Sequence, residues 1–293
     1  MKSTSIHGVN ADKGLGLFGK VGWFLFNYIN NLLAHSKLDE SLEIVNFQSD
    51  ETINDFQGFS ETVSPARVLC NLFWQDKLQQ FERELGGKIK ALEVGCGSGV
   101  YGTLLNDILD NRVDYKGVDI AVNSAWDDFS DKANYHFSKA DSADISHFLE
   151  DVNLVFTQSA LEHFEQDMIF FEQIAEYVET IKEPFIQVHL IPAQGSINTF
   201  PWHGIRQYTP RNVSKITKLF PGAIEKTLYK LGSSRCNELH RKWITIPGLL
   251  RKKDPRQGDV DGYQKSVNKA IKDDMLNPTK DVSFYALVIK SLP

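Results

Sequence analysis

Short apolar segments alternate with segments of helical periodicity through the middle of the chain. Apolar runs of strand length occupy residues 89–94, 115–119, 135–138, 153–157 and 185–191. Helical patterns at 103–109 and 168–180 lie between them. Strands that alternate with helices form a parallel sheet with helices on both faces. The pattern therefore predicts an α/β fold whose ligands bind at the carboxyl ends of the strands.

Elements on either side of this region complete the prediction. Residues 65–85 should form a helix, with Ser64 as the N-cap and Pro65 in the first turn. Two strands, at 224–231 and 284–290, should close the sheet. Residues 232–281 separate them, and an insertion of this length beside a ligand cleft indicates a functional segment.

The amino-terminal segment carries large apolar side chains at helical spacing over residues 15–33. Asparagines, a lysine and glycines interrupt it, so it is a poor candidate for a membrane span. Two positions suit such a helix: over the cleft or core, which the pattern favours, or on a membrane surface through residues 15–34.

Composition narrows the classes of partner. The net charge of −6 and a pI near 5.8 argue against a nucleic-acid surface, although residues 251–253 form a local basic run. The three cysteines, Cys70, Cys96 and Cys236, match neither a metal motif nor a disulfide framework. No signal peptide is recognisable, so we expect a cytoplasmic protein, with membrane-peripheral attachment as the alternative.

The richest chemical signal is ALEVGCGSGVYG, residues 91–102. A buried strand ends there in Glu93, and the glycines that follow allow positive φ and close approach of a ligand to the backbone. Two ligands fit this loop. Gly97, Gly99 and Gly102 spell the dinucleotide-binding GxGxxG pattern with Asp119 downstream. Glu93, in contrast, suits a ligand with an ammonium group and would be poorly placed beside a pyrophosphate.

E-x-G-x-G-x-G resembles the first motif of class I methyltransferases that depend on S-adenosylmethionine (SAM). The resemblance implies a Rossmann-like, mostly parallel, seven-stranded sheet with an antiparallel last strand. It implies SAM as cofactor and S-adenosylhomocysteine (SAH) as product. It also implies four segments: an N-terminal extension or lid (1–60), the methyltransferase core (61–231), an insertion serving as substrate or docking cap (232–281), and the last strand (282–293).

The same resemblance assigns a cofactor site residue by residue. Glu93 would accept from the cofactor ammonium, Asp119 from the ribose hydroxyls, and Asp141 with Ser142 would recognise the adenine amino group, with Asp144 or a simple turn as alternatives. The remaining predicted cofactor residues are Gly95, Gly97, Gly99, Tyr101, Ile120 and Gln158.

The segment LVFTQSALEHF, residues 154–164, corresponds to the part of these enzymes that lies beneath the transferred methyl group. Methyl transfer needs an aligned acceptor and, for a hydroxyl, a group that removes its proton. His163 is the first candidate for this base and Glu162 the second; a helix-start histidine is the structural alternative. Among the neighbouring ligand types only His163 and Asp167 share helical i, i+4 spacing, so no metal is expected.

Aromatic and basic side chains crowd the loop after the fifth strand. Trp202, His203, Arg206 and Tyr208 suit a saccharide, with helix capping as the alternative for His203 and Arg206. SPARVLCNLFW, SALEHF and HGIRQYTPR together resemble bacterial methyltransferases of surface-polysaccharide biosynthesis. These resemblances imply O-methylation of a glycan or small molecule. They leave open NAD-linked oxidoreduction, a non-catalytic SAM-binding partner, and the oligomeric state. The Asn-Pro-Pro-Tyr motif of amino-directed DNA methyltransferases is absent, which again disfavours nucleic acid.

Overall fold

The computed structural model describes residues 2–33, 37–49, 62–250 and 252–291. Its centre is an eight-stranded mixed sheet with the order β1-β7-β8-β6-β5-β2-β3-β4. The strands are β1 (Glu43–Asn46), β2 (Ile89–Val94), β3 (Val113–Asp119), β4 (Tyr135–Lys139), β5 (Leu154–Gln158), β6 (Phe185–Pro192), β7 (Glu225–Leu231) and β8 (Phe284–Ser291). All pairs are parallel except those of β8, which runs antiparallel to both β6 and β7. This arrangement confirms the Rossmann-like α/β fold.

The expected number of seven strands is wrong, because β1 adds an eighth strand at the edge, beside β7. This strand has only four residues, and its exposed side chains do not alternate between apolar and polar. A short strand at a sheet edge buries too little surface to require alternating apolar and polar residues in the sequence.

Helices flank the sheet and join its strands. They are α1 (Leu17–Leu32), α2 (Pro65–Glu84), α3 (Val100–Ile108), α4 (Asp167–Thr180), α5 (Pro210–Thr217), α6 (Ser234–His240), α7 (Ile246–Leu249) and α8 (Val260–Leu276). The start of α2 is as predicted: the Ser64 side chain accepts a hydrogen bond from the Arg67 N–H, and Pro65 occupies the first turn. None of the described helices is both long and apolar enough to cross a bilayer.

Two apolar clusters, one containing residues of α2 and α3 and the other residues of α4 and α5, pack against the sheet. In the insertion, α6 and α8 pack on each other and on α2. The amino-terminal extension lies against the segment after β6, where the Trp23 indole donates to the Gly204 carbonyl oxygen. The proposed boundary at residue 60 lies outside the described residues, and the roles of lid and cap stay predictions.

Candidate functional site

The loop between β2 and α3 has the tight backbone that its glycines predict. Gly95, Gly97 and Gly99 have φ values of +80°, +54° and +80°. A Cβ on Gly95 would lie 2.5 Å from the Ala160 Cβ, whereas one on Gly97 would meet nothing within 4 Å. Gly95 is therefore required for packing beneath the loop, and the space at Gly97 is left open.

Asp119 connects this loop to a cleft of about 690 Å³. One of its carboxylate oxygens accepts the Gly97 N–H at 2.8 Å, and the other accepts the Ala121 N–H at 3.2 Å. The cleft is lined by residues from the ends of several strands, which include Gly95, Asp119, Ile120, Asp141, Ser142, Ser159 and His163. The structure thus brings together the residues predicted for the ribose and the adenine. The volume of the cleft is typical of a site for a small molecule.

A simple turn was the structural alternative to adenine recognition by Asp141. Asp141 does stabilise a turn, because its carboxylate accepts the Ala143 N–H at 2.8 Å. Asp141 and Ser142 both line the cleft, whereas Asp144 is not among its lining residues. The position therefore favours Asp141 and Ser142 over Asp144 as the pair that contacts a ligand.

Glu93 lies deeper than the cleft wall. It is 1% exposed, and its carboxylate accepts a hydrogen bond from the Tyr115 hydroxyl. Burial raises the pKa of Glu93 to about 8, against the opposing effects of the Tyr115 hydrogen bond and of the nearby Arg67 charge; Asp119 raises it further. Near pH 7 this carboxyl is mostly protonated, and a cationic group brought beside it would favour its ionised form.

The raised pKa of Glu93 predicts how the free energy of unfolding changes with pH. In the unfolded chain Glu93 loses its proton near pH 4.5, whereas in the folded chain it keeps it up to about pH 8. Between these values the folded state binds more protons, so the free energy of unfolding falls as pH rises, by at most about 1.4 kcal/mol per pH unit. Urea unfolding between pH 5 and 8 should show a weaker fall in Glu93→Gln than in the wild type. Equal slopes would contradict the assignment, and Glu150→Gln, at an exposed position, is the control.

Two further buried polar side chains each have an atom without a partner in the described part of the chain. The Tyr101 hydroxyl and the Gln158 amide nitrogen have no hydrogen-bond partner among the described residues. The Gln158 amide oxygen accepts from the Trp74 indole at 3.0 Å. Buried polar groups are nearly always hydrogen-bonded in folded proteins, so these two atoms indicate a place for a polar ligand.

Helix α2 contributes two more polar side chains, Arg67 and Asn71. The Arg67 guanidinium lies 5.0 Å from the centroid of the Tyr101 ring. Asn71, one turn further along the same helix face, is buried with both amide atoms unpartnered among the described residues. The sequence analysis missed both residues. The signal was present: Arg67 and Asn71 are polar residues at i, i+4 spacing beside the apolar stripe of a helix.

A second pocket, of about 270 Å³, meets the cleft at Ser159. Arg67, Glu162 and His203 are among its lining residues. Burial raises the pKa of Glu162 to about 7, opposed by the neighbouring His163, and one of its oxygens has no partner among the described residues. Its other oxygen lies 3.9 Å from His163 Nε2 and 3.8 Å from His203 Nε2.

His163 is held by a residue from the amino-terminal extension. Its Nδ1 lies 2.6 Å from the Asp12 carboxylate, which in turn accepts the Gly204 N–H at 3.3 Å. With Nδ1 bound to a carboxylate, Nε2 is the ring nitrogen free to accept a proton. Sequence reasoning missed Asp12, because the contact spans 151 residues and no local pattern reports it.

The ligand atoms of Glu162, His163 and His203 lie within 4.8 Å of one another. Two imidazoles and a carboxylate form a donor set that divalent transition metals bind. The expectation of no metal considered only spacing within one helix, and His203 joins the group from a separate loop. That expectation stays a prediction, and a chelator can test it.

The four residues predicted to bind the acceptor have different positions. His203 lines the second pocket. The Trp202 indole donates to the Lys20 carbonyl oxygen at 3.1 Å and contacts α1. Arg206 and Tyr208 are buried: the guanidinium donates to the Phe164 carbonyl oxygen at 2.6 Å, and the Tyr208 hydroxyl donates to Asp167 at 2.9 Å.

The expected contact of Arg206 and Tyr208 with the acceptor stays a prediction, and their observed partners lie within the fold. Both use their polar groups to hold the segment at 161–167, and Arg206 also pairs with Asp167 at 3.4 Å. Buried groups engaged in this way stabilise the segment that they contact.

Three solved structures with a similar fold are methyltransferases. A SAM-dependent methyltransferase from Archaeoglobus fulgidus is 18% identical, with 75% of this chain and 94% of that chain covered and a TM-score of 0.46. The plantazolicin methyltransferase BpumL, solved with SAH, is 16% identical, with 78% and 85% covered and a TM-score of 0.46. A phosphoethanolamine N-methyltransferase from Haemonchus contortus, solved with SAM, is 9% identical, with 83% and 60% covered and a TM-score of 0.44. No family model and no curated protein matches the chain.

Proposed function

We propose that this protein is a SAM-dependent methyltransferase that transfers a methyl group to a hydroxyl of a saccharide or another small molecule. One observation carries the proposal: the cleft lined by Asp119, Ile120 and Asp141 meets the pocket lined by Glu162 and His203 at Ser159. A nucleoside bound in the cleft would therefore have its reactive end beside groups that can orient an acceptor and remove its proton.

The residues present fit this cofactor. Asp119 offers carboxylate oxygens to ribose hydroxyls, while Asp141 and Ser142 lie in the same cleft for the adenine. The Tyr101 hydroxyl and the Gln158 amide nitrogen have no partner among the described residues, and the space at Gly97 is open.

Two ionisable residues suit the amino-acid part of the cofactor. Glu93 would hold its ammonium, directly or through water, and Arg67 its carboxylate. SAM supplies an electrophilic methyl group on a sulfonium; the protein supplies alignment and proton removal.

His163 is the proposed general base. Asp12 fixes its ring through Nδ1, so Nε2 can accept the acceptor proton, and the imidazolium that forms is stabilised by the same carboxylate. Glu162 is the second candidate, because its buried carboxyl ionises near neutrality. His203 would bind the acceptor, and Phe200 adds an apolar wall to the same pocket. We expect a glycan or small-molecule acceptor and no nucleic acid.

The test is transfer of a labelled methyl group from SAM to extracts and glycan fractions of the source organism, followed by identification of the labelled product. A labelled ether on a saccharide is the expected result. Label on nitrogen or on nucleic acid would overturn the choice of acceptor, and no transfer to any fraction would favour a non-catalytic SAM-binding protein.

A further inference from the structure

Helix α1 has its apolar face turned outward. Six of its large exposed side chains lie within an arc of about 100° on the helix surface; they are Leu17, Phe18, Val21, Leu25, Tyr28 and Leu32, while Phe26, which is 43% exposed, lies outside the arc. Phe18 is 91% exposed. A surface helix of a soluble protein normally turns such a face toward the core. An arrangement of this kind is typical of a helix that lies on a membrane.

The opposite face fixes this orientation through polar contacts. Trp23, Asn27 and Asn30 are the buried residues of α1. The Trp23 indole and the Asn27 amide donate to the carbonyl oxygens of Gly204 and Ile205 at 2.9 and 3.1 Å. The Asn30 amide oxygen accepts the Ile6 N–H at 3.1 Å. Because these bonds are directional, rotating α1 to bury its apolar face would break all three.

A second exposed apolar patch lies near the same loop. Ile246, Leu249 and Leu250 are each more than half exposed. Their segment is attached to the loop through Thr245, whose hydroxyl donates to the Thr199 carbonyl oxygen at 2.6 Å. The loop at 199–205 thus contacts both segments that carry an exposed patch, and it also contains His203.

The two segments that carry these patches contain basic residues and no acidic residue. Helix α1 contains Lys20 and no acidic residue. Residues 241–253 contain no acidic residue either, and their basic residues are Arg241, Lys242, Arg251, Lys252 and Lys253. In a chain of net charge −6 this local excess is complementary to anionic lipid headgroups.

We propose that α1 and the segment at 241–253 bind the surface of an anionic bilayer, with the apolar side chains at the headgroup boundary and the basic side chains among the phosphates. This interaction is independent of the chemistry at the cleft. Apolar burial and charge attraction both contribute to such binding, so removing either should weaken it.

Flotation of the full-length protein with vesicles tests this proposal. We expect binding to vesicles of phosphatidylcholine with phosphatidylglycerol, at least tenfold weaker binding to phosphatidylcholine alone, and weaker binding at high salt. The double variant Phe18→Asp/Leu25→Asp should lose at least tenfold in partition coefficient. Lys252→Glu/Lys253→Glu should weaken binding to anionic vesicles only.

Leu276→Asp is the matched control, because Leu276 is an apolar residue at the end of α8 whose exposure, 76%, lies between those of Leu25 and Phe18, and its substitution should leave binding unchanged. Thermal unfolding and SAH binding report whether each variant is folded. Absence of binding to anionic vesicles would overturn the proposal. So would a wild-type dimer that the Phe18→Asp/Leu25→Asp variant converts to a monomer without any change in vesicle binding, since the face would then be a contact between copies.

Discussion

Replacing His163 with alanine should lower kcat by about 10²- to 10⁴-fold, the usual contribution of a positioned general base. The dissociation constant for SAH should stay within about threefold of the wild-type value. This is a small change, because about 1.4 kcal/mol of binding free energy corresponds to a factor of ten. The expectation follows from the site, where Asp12 holds Nδ1 and leaves Nε2 free beside Glu162. Steady-state methyl transfer to the acceptor that the labelling experiment identifies, combined with calorimetric titration of SAH, measures both quantities.

Two further variants separate the possible roles in this cluster. Asp12→Asn should also lower kcat, because an amide in place of the carboxylate no longer holds the proton on Nδ1 and so no longer keeps Nε2 free to accept one. If Glu162→Gln abolishes turnover while His163→Ala retains it, Glu162 is the base. Loss of activity with a chelator, restored by a divalent metal, would instead identify Glu162, His163 and His203 as a metal site.

Asp119→Ala should weaken SAH binding by at least about 100-fold. Each hydrogen bond to a charged group contributes about 1.5–3 kcal/mol, and 1.4 kcal/mol corresponds to a factor of ten. Loss of both ribose hydrogen bonds therefore suffices for a decrease in affinity of about 100-fold. The substitution also removes the acceptor of the Gly97 N–H, which adds to the effect by loosening the glycine loop.

Calorimetry of the Asp119→Ala variant with SAH is the measurement. Asp128→Ala provides the matched control, since Asp128 is an exposed carboxylate that does not line the cleft. Its affinity should equal that of the wild type. An Asp119→Ala variant that binds SAH within threefold of the wild type would remove this residue from the cofactor site.

The glycine loop and the sheet could be predicted because their signals are local. Buried parallel strands give continuous apolar runs, and a turn at positive φ requires glycine. The predicted strand at 89–94 has the bounds that the structure shows, and the helix predicted over 103–109 begins three residues earlier and ends one residue earlier, at Val100 and Ile108. The start of α2 at Pro65 follows in the same way from its cap.

The parts that sequence reasoning missed depend on contacts between distant segments. Asp12 reaches His163 from the amino-terminal extension, and His203 joins the cluster from the loop after β6. Arg206 resembled an exposed anion-binding residue, yet its partners are carbonyl oxygens and Asp167 within the fold. Neither periodicity nor capping residues report such contacts, because both describe a single element at a time.

The most direct test of the central claim is calorimetric titration of the wild-type protein with SAH and, separately, with NADH. We expect one molecule of SAH to bind per chain and no measurable heat with NADH, because Glu93 and Arg67 suit an amino-acid tail. Binding of NADH without SAH would contradict the account, since the glycine loop and Asp119 would then serve a dinucleotide.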